Sequence, residues 1–350
     1  MRSPATLIHS IARDANPGTP PQPHGAALLT ILIPFYNEEA VLPFCLERLR
    51  RMVHMLDLPC ELLFVDDGGS DGGAAWLARQ APLCPEMRLL RLSRNFGKEA
   101  AMTAGLDHAR GDAVVVLDAD LQDPPELILE MVARWRQGAD VVLMKRRTRA
   151  GETLGKRLTS YLYYRLLNAI SDFNIPPDTG DFRLLSRKAL LALRQLPERN
   201  RYMKGLFAWV GMETAVIEYD RAARASGVSK LDYLALARLA IEGITSFSIT
   251  PLRWAAVVGV LAAAASGLFG LWIVIKALLW GDAVHGYPSL ISVITFFGGV
   301  QLLTIGILGE YVGKAYLEAK QRPNYLVREV VEGVGMAAHA LRRSVGAADE

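Results

Sequence analysis

The sequence predicts an α/β protein whose mostly parallel, doubly wound sheet is followed by a two-helix membrane hairpin. Two observations predict the sheet. Apolar runs and helical patterns alternate from residue 28 onward, the βαβα order of parallel sheets. Residues capable of chemistry recur directly after the apolar runs, on the edge where right-handed crossovers gather the strand C-termini. A third observation predicts the hairpin: two apolar stretches of 21 residues, 255–275 and 289–309, lie near the C-terminus.

The strand candidates are 28–33, 61–65, 87–92, 113–117 and 140–144, each apolar and short. Helical patterns at about 39–55, 71–80, 98–110 and 124–137 separate them. Residues 158–167 and 231–249 form two further apolar-periodic stretches, each able to serve as a core helix or to lie in a membrane interface. No internal repeat is visible. Residues 1–26, rich in Pro, His, Arg and Ala, lack the apolar core of a secretory signal and are expected to form a disordered tail. The resulting expectation is a domain at 27–230, a juxtamembrane amphipathic helix at 231–252, two transmembrane helices within 253–314 and a cytoplasmic tail at 315–350.

Stretch 255–275 carries no charge, and at about 1.5 Å per residue it spans roughly 31 Å, the thickness of a bilayer core. In 289–309 the one strongly polar side chain is Gln301. Their connection, 280–288, contains no Lys or Arg. Arg253 precedes the first stretch, and Lys314, Lys320, Arg322 and Arg328 follow the second. The positive-inside bias then places both termini and the large domain on the cytoplasmic side of a bacterial-type inner membrane. Hydrophobic residues make up 51% of the 350 residues, and mean hydropathy is +0.19, high for a purely soluble chain. A net charge of only +3 gives no support to nucleic-acid binding. Cys45, Cys60 and Cys84 are odd in number and lack metal-ligand spacing, so they read as reduced, buried thiols.

Candidate chemistry falls after the first four strands, at Pro34 to Glu39, Asp66-Asp67, Ser93 to Lys98 and Asp118 to Asp120, and in basic and acidic segments beyond them. Asp66-Asp67-Gly68-Gly69-Ser70-Asp71-Gly72 offers carboxylates to a base N–H or ribose hydroxyl, with glycines that admit close backbone approach. Asp118-Ala119-Asp120, followed by Leu121-Gln122-Asp123-Pro124-Pro125-Glu126, has the spacing to hold Mg²⁺ or Mn²⁺ against a diphosphate. Arg94-Asn95-Phe96-Gly97-Lys98 opens a small-residue helix and suits an anionic group. Lys145-Arg146-Arg147-Thr148-Arg149, with Arg221, Arg224 and Lys230 further on, is a solvated basic face or an anion site for lipid headgroups or a lipid phosphate. In Asp178-Thr179-Gly180-Asp181-Phe182-Arg183, Asp181 is placed to position an acceptor or act as a base, and Arg183 to pair with a carboxylate or phosphate. Positioning is favoured, because a phosphomonoester has its second pKa near about 6 and is already ionised.

Taken together, these segments resemble the family 2 glycosyltransferases of GT-A fold that act on polyprenyl phosphates. The carrying residues are Ile33-Pro34-Phe35-Tyr36-Asn37-Glu38-Glu39, Val65 to Gly68, Ser93 to Lys98, Asp118 to Glu126 and Asp178 to Leu184. Ser246 to Arg253, Leu308 to Lys314 and Arg322-Pro323 also fit. The two-helix tail is most similar to the bactoprenol glucosyltransferases. The resemblance implies inverting transfer from a nucleotide sugar, UDP-glucose by family weight, to undecaprenyl phosphate or a similar lipid. It implies that Pro34, Tyr36, Glu38 and Asp66 bind the nucleotide; Lys98, at the helix start suited to an anion, is counted with them as nucleotide-sugar-binding. Asp118 and Asp120 would hold diphosphate and metal, Gln122 would lie by the sugar, and Arg146, Arg149, Arg183, Arg224 and Lys230 would meet phosphates. One departure stands out: the second-strand turn has an extra glycine where the family pattern reads Asp-Asp-Gly-Ser. A processive polysaccharide synthase is the second enzyme class considered, but Thr250 to Trp254 lacks the Gln of the Gln-x-x-Arg-Trp motif. A membrane-anchored nucleotide-sugar sensor is the non-enzyme class. Two helices make a thin anchor, which favours a homo-oligomer with pooled helices.

Overall fold

The computed structural model describes residues 27–147, 165, 179–199, 201, 203–220, 245, 248–280 and 286–333. The predicted residues Arg149, Asp178, Arg224 and Lys230, the tail 1–26 and nearly all of 158–167 and 231–249 lie outside that set.

Eight strands form one sheet: β1 (Leu29–Phe35), β2 (Cys60–Asp66), β3 (Met87–Leu92), β4 (Ala113–Val116), β5 (Val141–Arg146), β6 (Thr179–Ser186), β7 (Thr214–Tyr219) and β8 (Val327–Glu332), in the order β7-β5-β6-β4-β1-β2-β3-β8. The pairs β1·β2, β1·β4, β2·β3 and β5·β7 are parallel, whereas β6 runs antiparallel to β4 and β5, and β8 antiparallel to β3. The first five strands fall where the apolar runs predict them. Every residue of β1 and β2 is buried, as expected for strands covered on both faces.

Helices cover both faces. α1 (Leu42–Val53), α2 (Gly73–Gln80) and α4 (Ile128–Arg136) pack on one side, against Ile31, Ile33 and Phe64. α3 (Lys98–His108), α5 (Arg187–Arg194) and α6 (Met203–Trp209) pack on the other, against Leu32, Leu63 and Val65. The alternation of Ile31 and Leu32 between the two cores follows the two-residue period of a strand. α1 buries Leu42, Cys45, Leu46, Leu49 and Met52, the i, i+3, i+4, i+7 stripe of an amphipathic helix. α3 approaches the sheet through Gly105, where a Cβ would sit 2.0 Å from Leu32 Cδ1.

α7 (Thr250–Trp280) and α8 (Tyr287–Ala319) are the two long apolar helices. Each contains a span long and apolar enough to cross a membrane, Thr250–Phe269 and Phe296–Ala319, almost wholly exposed. At 31 and 33 residues they outrun the predicted 21-residue spans. The overhang ties α8 to the segment before α7, where Tyr311 donates to Ser248 O (2.5 Å) and Lys314 to Thr245 Oγ1 (2.5 Å), and to the α/β domain, where Arg199 N donates to Glu318 Oε1 (2.8 Å).

The chain after α8 rejoins the sheet. Residues 327–332, expected within a cytoplasmic tail, form β8 on the β3 edge of the sheet. The chain returns there because β3 presents arginines on that edge: Arg91 pairs with Glu329 at 2.9 Å and Arg88 with Glu332 at 3.3 Å, cross-strand opposite-charge partners.

Candidate active site

The loop after β2 is built around its two aspartates. Asp66 Oδ1 accepts from Gly69 N at 2.8 Å, and Arg91 approaches Oδ2 at 3.5 Å. Asp67 accepts from Phe96 N at 2.8 Å and Gly97 N at 2.9 Å, so it fastens the loop that opens α3. Burial pushes both carboxyls above the ordinary aspartate value, against the pull of those backbone donors. Gly68 has φ +66°, and a Cβ there would lie 2.2 Å from the Arg94 carbonyl carbon. Only glycine fits that crossing. The rest of the turn, extra glycine included, is held by the first-strand loop: Asn37 Oδ1 accepts from Ser70 N at 2.8 Å, and Glu39 Oε2 from Gly72 N at 3.0 Å.

The loop after β4 is organised differently. Lys98, the first residue of α3, places its ammonium 2.6 Å from Asp118 Oδ1 and 2.7 Å from Asp181 Oδ2. Asp181 reaches this point because β6 runs antiparallel to β4, which sets its start beside the end of β4. Burial opposes the Lys98 charge, but the two carboxylates outweigh it and hold the ammonium above the ordinary lysine range. For Asp181, burial is likewise overcome by Lys98 and Lys204, and its carboxyl is held down to about 2. Asp120 Oδ1 accepts from Gln122 N at 3.1 Å across Leu121, whose φ is +56°.

Between these loops lies a cleft of about 330 Å³ at the C-terminal edge of the parallel strands, where open α/β sheets bind ligands. Its lining brings together six predicted residues: Pro34, Tyr36, Glu38, Lys98, Asp118 and Asp120. Phe35, Asp67, Asn95, Gly97, Ala101 and Ala119 also line it. Asp67 and Gly97 belong to segments the sequence singled out, but nothing in a linear sequence tells which of two adjacent aspartates faces outward.

Other predicted residues lie off the cleft. Asp66 is 1% exposed, beneath the turn, and Gln122 is buried behind Asp120. Asp181 stands behind Lys98. Arg183 is 2% exposed, donates to Gly180 O at 2.6 Å and stacks 4.1 Å over Phe207. It therefore braces the start of β6 and presents no open anion site. The basic run ending β5 is matched by β7: Lys145 pairs with Glu218 at 2.9 Å, Arg147 with Asp220 at 3.7 Å, and Arg146 hydrogen-bonds Tyr219.

No group of three or more His, Cys, Asp or Glu among the described residues has metal-binding geometry. Four carboxylates line the cleft, Glu38, Asp67, Asp118 and Asp120; the last two share one loop, and that pair is the donor set offered to a cation. This donor set is too small for a resident cation and fits one that arrives with a diphosphate, since Mg²⁺ is ordinarily held by one or two carboxylates plus substrate phosphates and water.

The glycosyl transferase family 2 model matches residues 30–194, which spans the cleft-forming loops and β6. The chain is 44% identical over 305 residues to the SfII prophage-derived bactoprenol glucosyl transferase of Shigella flexneri, covering 87% of this chain and 99% of that one. It is 41% identical over 302 residues to the prophage bactoprenol glucosyl transferase homolog of Escherichia coli K12, covering 86% and 99%. Among solved structures, a mannosyltransferase of Pyrobaculum calidifontis in complex with GDP-Man and Mn²⁺ aligns over 88% of this chain and 94% of that one, with 18% identity and a TM-score of 0.41. That likeness is too distant to bear on the site. The sequence relationship is not: with a strand-edge cleft walled by Asp118 and Asp120 inside the matched region, the chain is a glycosyltransferase and belongs to glycosyl transferase family 2.

Proposed function

We propose that the chain transfers glucose from UDP-glucose to a polyprenyl phosphate at the cytoplasmic face of a membrane, with inversion at the anomeric carbon. The observation that carries this is the 44% identity, over nearly the whole of both chains, to proteins named bactoprenol glucosyl transferase. The cleft chemistry and the apolar helices agree with it. Tyr36, 46% exposed at the cleft wall, offers a ring face to the base. Glu38 is at hand for ribose or base donors, and the Lys98 ammonium meets the diphosphate.

Asp118 and Asp120 would hold Mg²⁺ or Mn²⁺ together with that diphosphate. The bound ion supplies charge neutralisation for the departing UDP. In the transfer, an acceptor phosphate oxygen forms the new bond to C1, the bond from C1 to the β-phosphate oxygen breaks, and its electron pair leaves with UDP. The acceptor is already ionised, so no base is needed. Asp181, with its carboxyl near about 2, takes no proton at neutral pH and serves to hold Lys98. Arg146, Arg149, Arg224 and Lys230 are assigned to the acceptor phosphate, and both chain termini to the cytoplasm by the Lys and Arg distribution. A homo-oligomer that pools the helices completes the membrane part.

The test is UDP release by purified protein in detergent with undecaprenyl phosphate and Mn²⁺, across UDP-glucose, UDP-galactose, UDP-N-acetyl sugars and GDP-mannose. Release from UDP-glucose that requires the lipid is expected. Lipid-independent release, or lipid-dependent release from another donor alone, overturns the assignment.

A further inference from the structure

Leu121 sits in the left-handed region, with φ +56°. A leucine stays there only where its surroundings enforce it, and such strain gathers at functional sites. On one side the enforcement is the Asp120 carboxylate, which accepts from Gln122 N. On the other it is Asp123, 2% exposed, which accepts from the Tyr219 hydroxyl. Tyr219 is the last residue of β7, 96 positions away. It is 5% exposed, edge-on to Phe182 at 6.1 Å and 81°, and its oxygen also bonds the Arg146 guanidinium.

These contacts close a ring. Asp118 binds Lys98, Lys98 binds Asp181, and Gly180 lies against Arg146, where a Cβ would be 3.1 Å from Nη2. Arg146 binds Tyr219, and Tyr219 returns through Asp123 to the loop that carries Asp118 and Asp120. Tyr219 is not among the residues lining the cleft.

We propose that Tyr219 is a positioning residue that clamps Asp123, and through it the strained turn at Leu121, so that the Asp120 carboxylate stays on the cleft wall. The same clamp joins the donor side of the site to Arg146. The assignment rests on the proposed role of Asp120 at the donor diphosphate.

The test uses the full-length protein in detergent. UDP binding is titrated calorimetrically with and without Mn²⁺, beside the melting temperature, for Tyr219→Phe, Asp123→Ala, their combination and Asp120→Asn. Tyr219→Phe removes one oxygen and keeps the ring packing on Phe182. It is expected to weaken Mn²⁺-dependent UDP binding about tenfold, in line with loss of a hydrogen bond to a charged group. Asp123→Ala is expected to give a similar loss, and the double variant little more than either, because both remove one contact. Adding Leu121→Gly to Tyr219→Phe is expected to restore most of the binding, since glycine adopts this turn without a clamp. A lowered melting temperature with undiminished Mn²⁺-dependent binding in Tyr219→Phe, while Asp120→Asn loses that binding, overturns the clamp alone. Failure of Leu121→Gly to rescue also overturns it. Wild-type binding in Asp120→Asn removes the donor-site role of Asp120, and the clamp with it.

Discussion

Two strand ends in this protein carry paired aspartates, and the fold uses them differently. After β2, Asp66 and Asp67 are almost inaccessible, and their oxygens take backbone N–H groups from Gly69, Phe96 and Gly97. After β4, Asp118 is partly open, and Asp118 and Asp120 both line the cleft, the former against a mobile-stemmed lysine. The lesson is physical. Asp67, whose two oxygens both take backbone N–H groups, organises a loop, whereas Asp118, paired to the Lys98 side chain, can exchange that partner for a ligand's cation or be joined by one. Sequence pattern sees two acids at a strand end in both cases; the hydrogen-bond partners decide between them.

Substitutions can break or sharpen that contrast. The largest effect is expected from Asp120→Asn, which leaves the fold intact and lowers transfer about 100- to 1000-fold, the scale for removing one preorganised electrostatic group. Steady-state transfer beside a melting curve measures both. Next is Lys98→Met, which leaves Asp118 and Asp181 without their shared cation. A fall of about tenfold or more in kcat/KM for the nucleotide sugar is expected, and a change confined to melting temperature would make Lys98 a structural bridge only. Asp67→Ala should act mainly on stability: two N–H groups lose their acceptor, costing about 2 kcal/mol, read as a lower midpoint in denaturant.

The last effect concerns pH. Burial pushes the Glu99 carboxyl from its ordinary 4.5 up to about 7, with Asp181 adding to the rise. Between those values the folded chain keeps a proton that the unfolded chain has lost, so stability falls as pH rises through that window. Glu99→Gln removes the ionisation. The variant should melt with a flatter pH dependence from about 4.5 to about 7 and gain on the wild type above it, measured by thermal melts across that range.

Much of this was legible in the sequence because β1 to β5 are short apolar runs closed by polar turns. The cleft residues Pro34, Tyr36, Glu38, Lys98, Asp118 and Asp120 follow from their places at those strand ends. β6, β7 and β8 were not legible as strands. β6 carries Asp181 and Arg183 inside the run, β7 is an edge strand with alternating exposure, and β8 mixes charged residues with valines without alternation. Edge and antiparallel strands need no continuous apolar run, so their pattern is weak. The insertion of β6 between β4 and β5 is what brings Asp181 to Lys98, and the pairing of β7 with β5 is what turns Arg146 toward Tyr219. Both contacts join residues more than 70 positions apart and have no local signature. The alternation of Arg183 with apolar neighbours likewise hides that its guanidinium is spent on Gly180 and Phe207.

The central claim is that glucose leaves the nucleotide for a lipid phosphate in the cleft walled by Asp118 and Asp120. Its most direct test is mass analysis of the lipid product after incubating purified protein in vesicles with undecaprenyl phosphate, Mn²⁺ and an equal mixture of UDP-glucose and UDP-N-acetylglucosamine. The expected result is undecaprenyl phosphate carrying a single hexose, absent with Asp120→Asn. Unmodified lipid beside free glucose, an N-acetylhexose adduct, or an undiminished product with Asp120→Asn would contradict it.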